Sequence, residues 1–442
     1  MQTPYYEIQE QKLDADIALL QNALQDGWGN NFIAACSVKT NSLPWLLNHY
    51  RQNDFWAEVV SSAEYDLTMR IGFDPAKVIY NGPIKDREVF KKVLLAGGLV
   101  NLDSSKEPEW LEEMSSENSG EVLYRVGLRI NVDYAKLVPS EVPADEEGSR
   151  FGYSEENGEL ERVIERLRKI PGVQIAGLHL HSSTKSRSVT AYAAVAAYAV
   201  ELAKRYQLND LTYIDMGGGF YGGVAGKPDF RDYVPAIAGR LREYFAPEKV
   251  TLILEPGVSM VSSSFSFVTS VRDVKNIGEH VYVVTDGSRV NLNPQVTRRW
   301  YPHHFEYRGG DEGEQAKEAV PTKTMAAALS NQEKLQINET TDAPGQKAEN
   351  AGADDRRMLP SQMICGATCM EYDRLFEIQN EPELRIGDRV IYDLAGGYTI
   401  CLTPLFIHYF PAVMVKKADG STFTAREPWT NDEFLAKNHW EG

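Results

Sequence analysis

Five short stretches of this chain carry residue types that do chemistry. Lys39 closes an apolar run in CSVKTN, where a lysine either snorkels its ammonium past the strand end or meets a partner there. An amine partly stripped of water loses basicity and becomes nucleophilic toward an aldehyde, so the functional reading of Lys39 is a Schiff-base lysine. His179 and His181 stand two apart in GLHLHSST and so share one face of a strand. They read as structural histidines or as a metal pair, and no third ligand stands at a suggestive spacing, so no metal is expected. Gly217-Gly218-Gly219-Phe220-Tyr221-Gly222 has the spacing of a dinucleotide fingerprint, yet it follows the seventh strand-like run and no adjoining acid closes a βαβ unit. Three consecutive glycines do open backbone N–H groups to a phosphate. Glu255-Pro256-Gly257 ends a further apolar run and sets a carboxylate beside that turn. Cys369 lies in CGATCMEYD, too polar for a core strand, and a buried structural thiol is the commoner fate of a free cysteine.

Positioning these groups falls to eight β-rich runs at 31–39, 55–61, 77–83, 98–104, 124–131, 173–182, 211–219 and 251–257. Between them lie stretches with helical apolar spacing, such as REVFKKVLLAGG, LERVIERLRKI and VTAYAAVAAYAVELAKRY. Strand and helix alternating eight times, with nearly continuous apolar strands, predicts a (β/α)₈ TIM barrel over residues 15–262. In such a barrel the chemistry sits at the C-terminal strand ends, which here carry Lys39, Glu58, Asn81, Asp103, Arg129, His181, Asp215 with the glycines, and Glu255 with Gly257. The loops after strands seven and eight are the frequent phosphate site of that fold.

After about residue 262 strands follow one another without long helices: SFSFVTSVRDVKNIG, HVYVVTDGS, DRVIYDLAGGYTICL and AVMVKKADG. They predict a β-sandwich or β-barrel domain from residues 263–442, with residues 1–14 adding a strand to it. Residues 309–358 contain no aromatic side chain and are crowded with polar groups, which predicts a flexible acidic insertion or an exposed helix around TMAAALSNQEKLQ.

The 442 residues hold 46 Lys and Arg against 63 Asp and Glu, a formal charge of −17, which argues against a nucleic-acid or anionic-membrane surface. No apolar run is long enough for a membrane span, and the acidic start MQTPYYEIQEQKLDAD is unlike a signal peptide, so a cytoplasmic location is expected. Four cysteines are too few for a disulfide scaffold and are expected to be reduced.

Seven of these runs, in order, resemble motifs of the fold-type III pyridoxal-phosphate decarboxylases, which include the diaminopimelate, ornithine and carboxynorspermidine decarboxylases and share their barrel with alanine racemase. SVKTN resembles the cofactor-lysine motif, AEVVSSAE the next strand, HLHSS the ring-stacking histidine motif and DMGGGF the phosphate turn. LEPG resembles the pyridine-nitrogen motif, CGATCMEYD the dimer-interface cysteine motif and DLAGGYT the last tyrosine turn. The resemblance implies a pyridoxal 5'-phosphate enzyme, a homodimer with active sites at its interface, acting on a small amino-acid substrate. Lys39 would carry the Schiff base, His181 would stack on the ring, Glu255 would pair with the ring nitrogen, and Arg129 and Glu58 would support the ring's polar edge and the lysine. Thr184, Gly217, Gly218, Gly219, Gly257 and Tyr398 would hold the phosphate. Cys369, supplied by the partner subunit, would return a proton to Cα once CO₂ has left.

Val258 stands where an arginine commonly follows EPG in ornithine and diaminopimelate decarboxylases, and Met370 where an acidic residue follows the interface cysteine. Carboxynorspermidine decarboxylases also lack both features. The resemblance therefore implies decarboxylation of a diamino acid or a carboxylated polyamine, of diaminopimelate or carboxynorspermidine type. Distal-group candidates are Glu371 and Asp373 for an amine, and Arg298, Arg299, Arg289, His303 and His304 for a carboxylate. Two other readings are an amino-acid racemase of the same fold and a non-catalytic homologue that regulates a decarboxylase by mixed dimerisation.

Overall fold

A computed structural model describes residues 2–141, 148–181, 187–295, 301–308 and 355–440. The chain opens with a strand, β1 (Tyr5–Gln9), and a helix at Glu10–Trp28. Eight parallel strands follow: β2 (Phe32–Ser37), β3 (Trp56–Val59), β4 (Val78–Tyr80), β5 (Leu99–Leu102), β6 (Tyr124–Arg129), β7 (Val173–His179), β8 (Tyr213–Asp215) and β9 (Thr251–Leu254). Each pairs with the next, and β2 pairs with β9 through Phe32 and Leu252, so the barrel closes. Being walled on both faces, these strands are apolar nearly throughout; all three residues of β4 are buried.

Helices between the strands begin and end on local signals. Ser61 accepts a hydrogen bond from Glu64 N to start the helix at Ser62–Ile71, and Gly72 ends it in the left-handed region. Asp86 and Gly97 do the same for the helix at Arg87–Ala96. The barrel axis is filled by side chains rather than left open. Tyr213 occupies the space where Gly127 and Gly177 have no Cβ, and packs in a layer with Ala35, Ile79, Ala176 and Ile253.

Contacts divide the chain into two compact units, one of Asp14–Gly223 with Lys227–Met260 and one of Met1–Leu13, Val224–Gly226 and Val261–Gly442. The second is a nine-stranded mixed sheet, made of β1 with β10 (Phe265–Ile277), β11 (His280–Thr285), β12 (His303–Glu306), β13 (Met358–Cys365), β14 (Arg374–Pro382), β15 (Arg389–Tyr392), β16 (Ala412–Lys416) and β17 (Thr422–Arg426). Its organiser is β10. The first half of this strand pairs with β1 and β15, its second half pairs with β11, and the register shifts between Val271 and Asp273 where the partners change. The four strands not anticipated from sequence, β12, β13, β14 and β17, are partly exposed and mix polar residues with apolar ones, so their apolar signal is weak.

The insertion expected at 309–358 lies outside the described residues except at its end, and that end corrects the expected boundary. Arg356 forms a buried ion pair with Asp388 at 2.6 Å, and Met358 already belongs to β13. Asp388 is fully buried and needs a cation, which ties residues 355–358 into the sheet unit. Among the described residues no helix is long and apolar enough to cross a membrane.

Candidate active site

The turn after β2 carries Lys39, in a single 3₁₀ turn at Val38–Thr40. Its Nζ lies 2.5 Å from Glu58 Oε2, and Ser37 Oγ donates to the same oxygen at 2.6 Å. Glu58 is buried at the end of β3 while a third of the lysine side chain stays exposed. The ammonium is thus held by a buried carboxylate while its side chain lines the cavity, where an incoming carbonyl can reach it.

Behind this pair runs a buried polar column. Tyr213 OH donates to Asn101 Oδ1 at 2.9 Å, Asn101 Nδ2 donates to Asn81 Oδ1 at 2.9 Å, and Asn81 Nδ2 donates to Glu255 Oε1 at 2.7 Å and to Glu58 Oε1 at 3.3 Å. Asp215 is fully buried beside it, accepting from Asn101 Nδ2 at 3.1 Å and Gly217 N at 2.8 Å. Burial, then the charge of Glu255 and a hydrogen bond to it, raise the Asp215 carboxyl well above the usual carboxylate range. Asn101 and Asp215 had no role assigned from sequence; the readable signal was a polar residue inside an otherwise apolar strand, LVNL and YIDM.

The glycine turn closes over the ends of β8 and β9. Gly217 has φ 64°, and a Cβ on it would overlap the His181 ring, while one on Gly218 would overlap Glu255 O. Gly218 N donates to His181 Nδ1 at 2.8 Å, and Glu255 N donates to Gly217 O at 2.7 Å. A Cβ on Gly257 would overlap Thr40, so the lysine turn and the Glu-Pro-Gly turn are in direct contact. Ser259, a residue that could stand in for the arginine replaced by Val258, is buried, with no hydrogen-bond partner for its hydroxyl among the described residues.

His181 is pushed down to about 3 by burial, then by the nearby positive charge of Lys39, so it is a neutral ring at physiological pH. His179 Nε2 lies 3.5 Å from Glu255 Oε2. His179, His181 and Glu255 have ligand atoms within 4.8 Å of one another, close enough to suggest a metal cluster. The Gly218 N–H argues otherwise: it occupies the lone pair of His181 Nδ1, which leaves the proton on Nε2 and no lone pair there for a metal.

Arg129, at the end of β6, donates to Asp103 Oδ2 at 2.8 Å and lies 4.4 Å over the Phe151 ring. Asp103 is itself held by Gly152 N at 2.6 Å. Lys39, Glu58, Asn81, Arg129, His181 and Glu255 all line one cavity of about 1320 Å³ at the C-terminal mouth of the barrel.

The remaining sequence-derived candidates separate. Thr184, Arg298 and Arg299 lie outside the described residues. Cys369, Glu371, Asp373 and Tyr398 belong to the sheet unit. Cys369 is exposed on the loop between β13 and β14, Glu371 is exposed and pairs with Arg374 at 3.3 Å, and Tyr398 has φ 55°. Asp373 departs from its expected role as an amine binder. It is buried, and its oxygens accept from Arg289 N, Ser288 Oγ, Thr368 N and Thr368 Oγ1, so it shapes the Cys369 loop and has no free edge for substrate. His303, stacked 4.1 Å from Phe376, and His304, bonded to Asp393 at 3.1 Å, are likewise held within the sheet unit.

A closed parallel barrel with a lysine, two carboxylates, a neutral histidine and a glycine turn around one mouth defines a phosphate-bearing carbonyl-cofactor barrel. Residues 15–262 match the pyridoxal-binding domain of the pyridoxal-dependent decarboxylases, and the chain belongs to that family. It is 28% identical to a probable chloroplastic diaminopimelate decarboxylase of Oryza sativa subsp. japonica over 66% of this chain and 58% of that one. It is 25% identical to the diaminopimelate decarboxylase of Aquifex aeolicus over 61% of this chain and 63% of that one. The matched stretch thus spans less than two thirds of each of these relatives. The crystal structure of diaminopimelate decarboxylase from Helicobacter pylori complexed with L-lysine shares the fold, with a TM-score of 0.74 at 17% identity, covering 99% of this chain and 96% of that one.

The residues present fit pyridoxal phosphate. A lysine amine faces the cavity, a buried carboxylate is available for the ring nitrogen, and the glycine turn leaves backbone room for a phosphate where side chains would collide.

Proposed function

We propose that this chain is a pyridoxal-phosphate-dependent decarboxylase of a diamino acid. The observation that carries the reading is the Lys39–Glu58 pair, with a buried carboxylate and a partly exposed lysine, on the same cavity wall as Glu255 and Asn81. When bound, the cofactor supplies an electron sink for the pair left on Cα as the carboxylate departs as CO₂. Lys39 would supply the amine that holds the cofactor, and Glu58 fixes that ammonium at the mouth. Glu255, fixed by Asn81, would pair with the ring nitrogen and favour its protonated form. His181 presents a neutral aromatic face, and Gly217–Gly219 with Gly257 would hold the phosphate. Cys369 of a second subunit delivers the proton that replaces CO₂ on Cα, its thiol becoming a thiolate; its exposure on a hairpin loop supports a site completed in a homodimer, with Tyr398 as a further phosphate ligand.

For the substrate, the curated relatives favour diaminopimelate, while Val258 and Met370 favour a carboxynorspermidine-type compound. Borohydride reduction with peptide mapping, followed by CO₂ release from meso-diaminopimelate, L-ornithine, L-lysine and carboxynorspermidine, tests both levels. The expected result is a reduced pyridoxyl group on Lys39 and CO₂ from one of the first or last compounds. Lys39→Ala is expected to abolish trapping and to lower CO₂ release at least about a thousandfold. Trapping with D-amino acid formed and no CO₂ would replace the decarboxylase reading with the racemase one, and normal turnover in Lys39→Ala would overturn the mechanism.

A further inference from the structure

His179 lines the mouth but takes no part in the polar column or in the Lys39 anchor. It ends β7, paired in register with Arg129 on one side and Asp215 on the other, and its side chain points to the same interior as Glu255. It is 1% exposed, and neither ring nitrogen has a hydrogen-bond partner among the described residues. A buried imidazole carries one donor and one acceptor, and leaving both unmade is costly, so an orphaned ring marks an interaction waiting on occupancy of the site. Burial, with Arg129 adding to it, holds this histidine neutral against the opposing pull of Glu58 and Asp103, so it presents a single N–H rather than a second charge beside Lys39. Both nitrogens are sealed from solvent, so no bulk water relieves that N–H. Glu255 Oε2, at 3.5 Å, is the acceptor that His179 Nε2 faces, and Asn81 already occupies the other oxygen.

We propose that His179 is a positioning residue for Glu255: in the loaded site its Nε2–H donates to Oε2 while Asn81 donates to Oε1, clamping the carboxylate against the cofactor's ring nitrogen. This rests on the reading of Glu255 as the ring-nitrogen partner. The clamp sets how basic the carboxylate is, and therefore how firmly the ring nitrogen keeps its proton.

The test compares His179→Phe, which keeps the ring and removes the donor, with His179→Gln, which keeps a donor at similar reach. Each is measured for pyridoxal-phosphate dissociation constant by fluorescence titration and for the pH midpoint of the bound cofactor's visible band. The Phe variant is expected to weaken cofactor binding about tenfold and to move the midpoint, with the Gln variant within about twofold of wild type on both. A Phe variant that binds and titrates like wild type would overturn the proposal, as would a Gln variant as impaired as Phe. If the Phe variant does not fold, the Gln variant decides alone: wild-type values support the clamp and a tenfold loss removes it. Wild-type protein that traps no cofactor on Lys39 would instead sink the underlying reading.

Discussion

Asn81 donates one amide to two carboxylates, reaching Glu255 Oε1 at 2.7 Å and Glu58 Oε1 at 3.3 Å. The group that anchors the lysine and the group assigned to the ring nitrogen are therefore spaced by a single side chain at the end of β4. Asn81→Ala strips a donor from a buried carboxylate and is expected to lower stability by about 1–3 kcal/mol and to loosen cofactor binding. Asn81→Asp should be worse, since it puts a third carboxyl between the first two. Urea unfolding of the ligand-free variants reads the first effect and equilibrium titration with pyridoxal phosphate the second; equal stability of Asn81→Asp and wild type at pH 8 would contradict the bridging role.

Burial, then the charge of Glu255, pushes the Asp215 carboxyl well above the usual carboxylate range. Its folded pKa lies above the unfolded value of about 3.9, so the unfolded chain binds fewer protons between the two, and stability from this group declines as pH rises through that window. Asp215→Asn mimics the protonated form and does not titrate. The melting temperature of Asp215→Asn relative to wild type is expected to climb from pH 4 to pH 8, whereas Asp215→Leu, which leaves Gly217 N without that acceptor and takes one of two from Asn101 Nδ2, should be destabilised at every pH by about 1–3 kcal/mol. A relative melting temperature that stays level with pH would mean Asp215 is ionised.

His181 and His179 work in the opposite direction. Both have folded pKa values below the usual 6.5, His181 at about 3, so both bind protons only on unfolding once pH drops below 6.5. Their contribution is complete above pH 6.5 and is lost as pH falls toward 3. His181→Phe keeps an aromatic face and removes one of the two titrations, so it is expected to lose roughly half as much stability as wild type from this pair between pH 7 and pH 5. Chemical denaturation at a series of pH values measures the slope directly; an unchanged acid slope would count against a buried neutral His181.

Gly127 and Gly177 stand where the Tyr213 side chain crosses the barrel. A Cβ on Gly177 would overlap the Tyr213 ring, and one on Gly127 would overlap Asn101 Oδ1 and Tyr213 OH. Either alanine substitution is expected to destabilise by about 1–3 kcal/mol, because the interior is close-packed. Gly127→Ala also pushes on the polar column and should weaken cofactor binding more than Gly177→Ala at matched stability. Thermal melts paired with cofactor titration separate the two effects, and identical cofactor affinities would show that the column is not coupled to the mouth.

Much of the barrel was readable in advance for a physical reason. Parallel strands covered on both faces must be apolar along their length, and the eight runs from NFIAACSVK to TLILEPG stand out against amphipathic helices such as ELERVIERL. The sheet unit was less legible. MLPSQMIC and RLFEIQNEP are buried at only a few positions and interleave polar with apolar residues, which hid two strands that pair with each other. From sequence Asp373 is a candidate amine binder beside Glu371, and only its place among Ser288, Arg289 and Thr368 reveals a buried acceptor.

The residues of the chain by themselves determined which chemical groups stand at the strand ends: an amine at 39, carboxylates at 58, 215 and 255, an imidazole at 181 and glycines at 217–219. Residue type and strand periodicity are local properties, and they specify what faces the mouth. Tertiary structure alone decided how those groups divide the labour. How the Asp215 carboxyl is shifted, which His181 nitrogen is blocked, and which oxygen of Glu255 remains for His179 all depend on burial and on partners more than 30 residues away in the chain. Protonation and hydrogen bonding respond to the local dielectric and to the distance between groups, and those exist only once the barrel has closed.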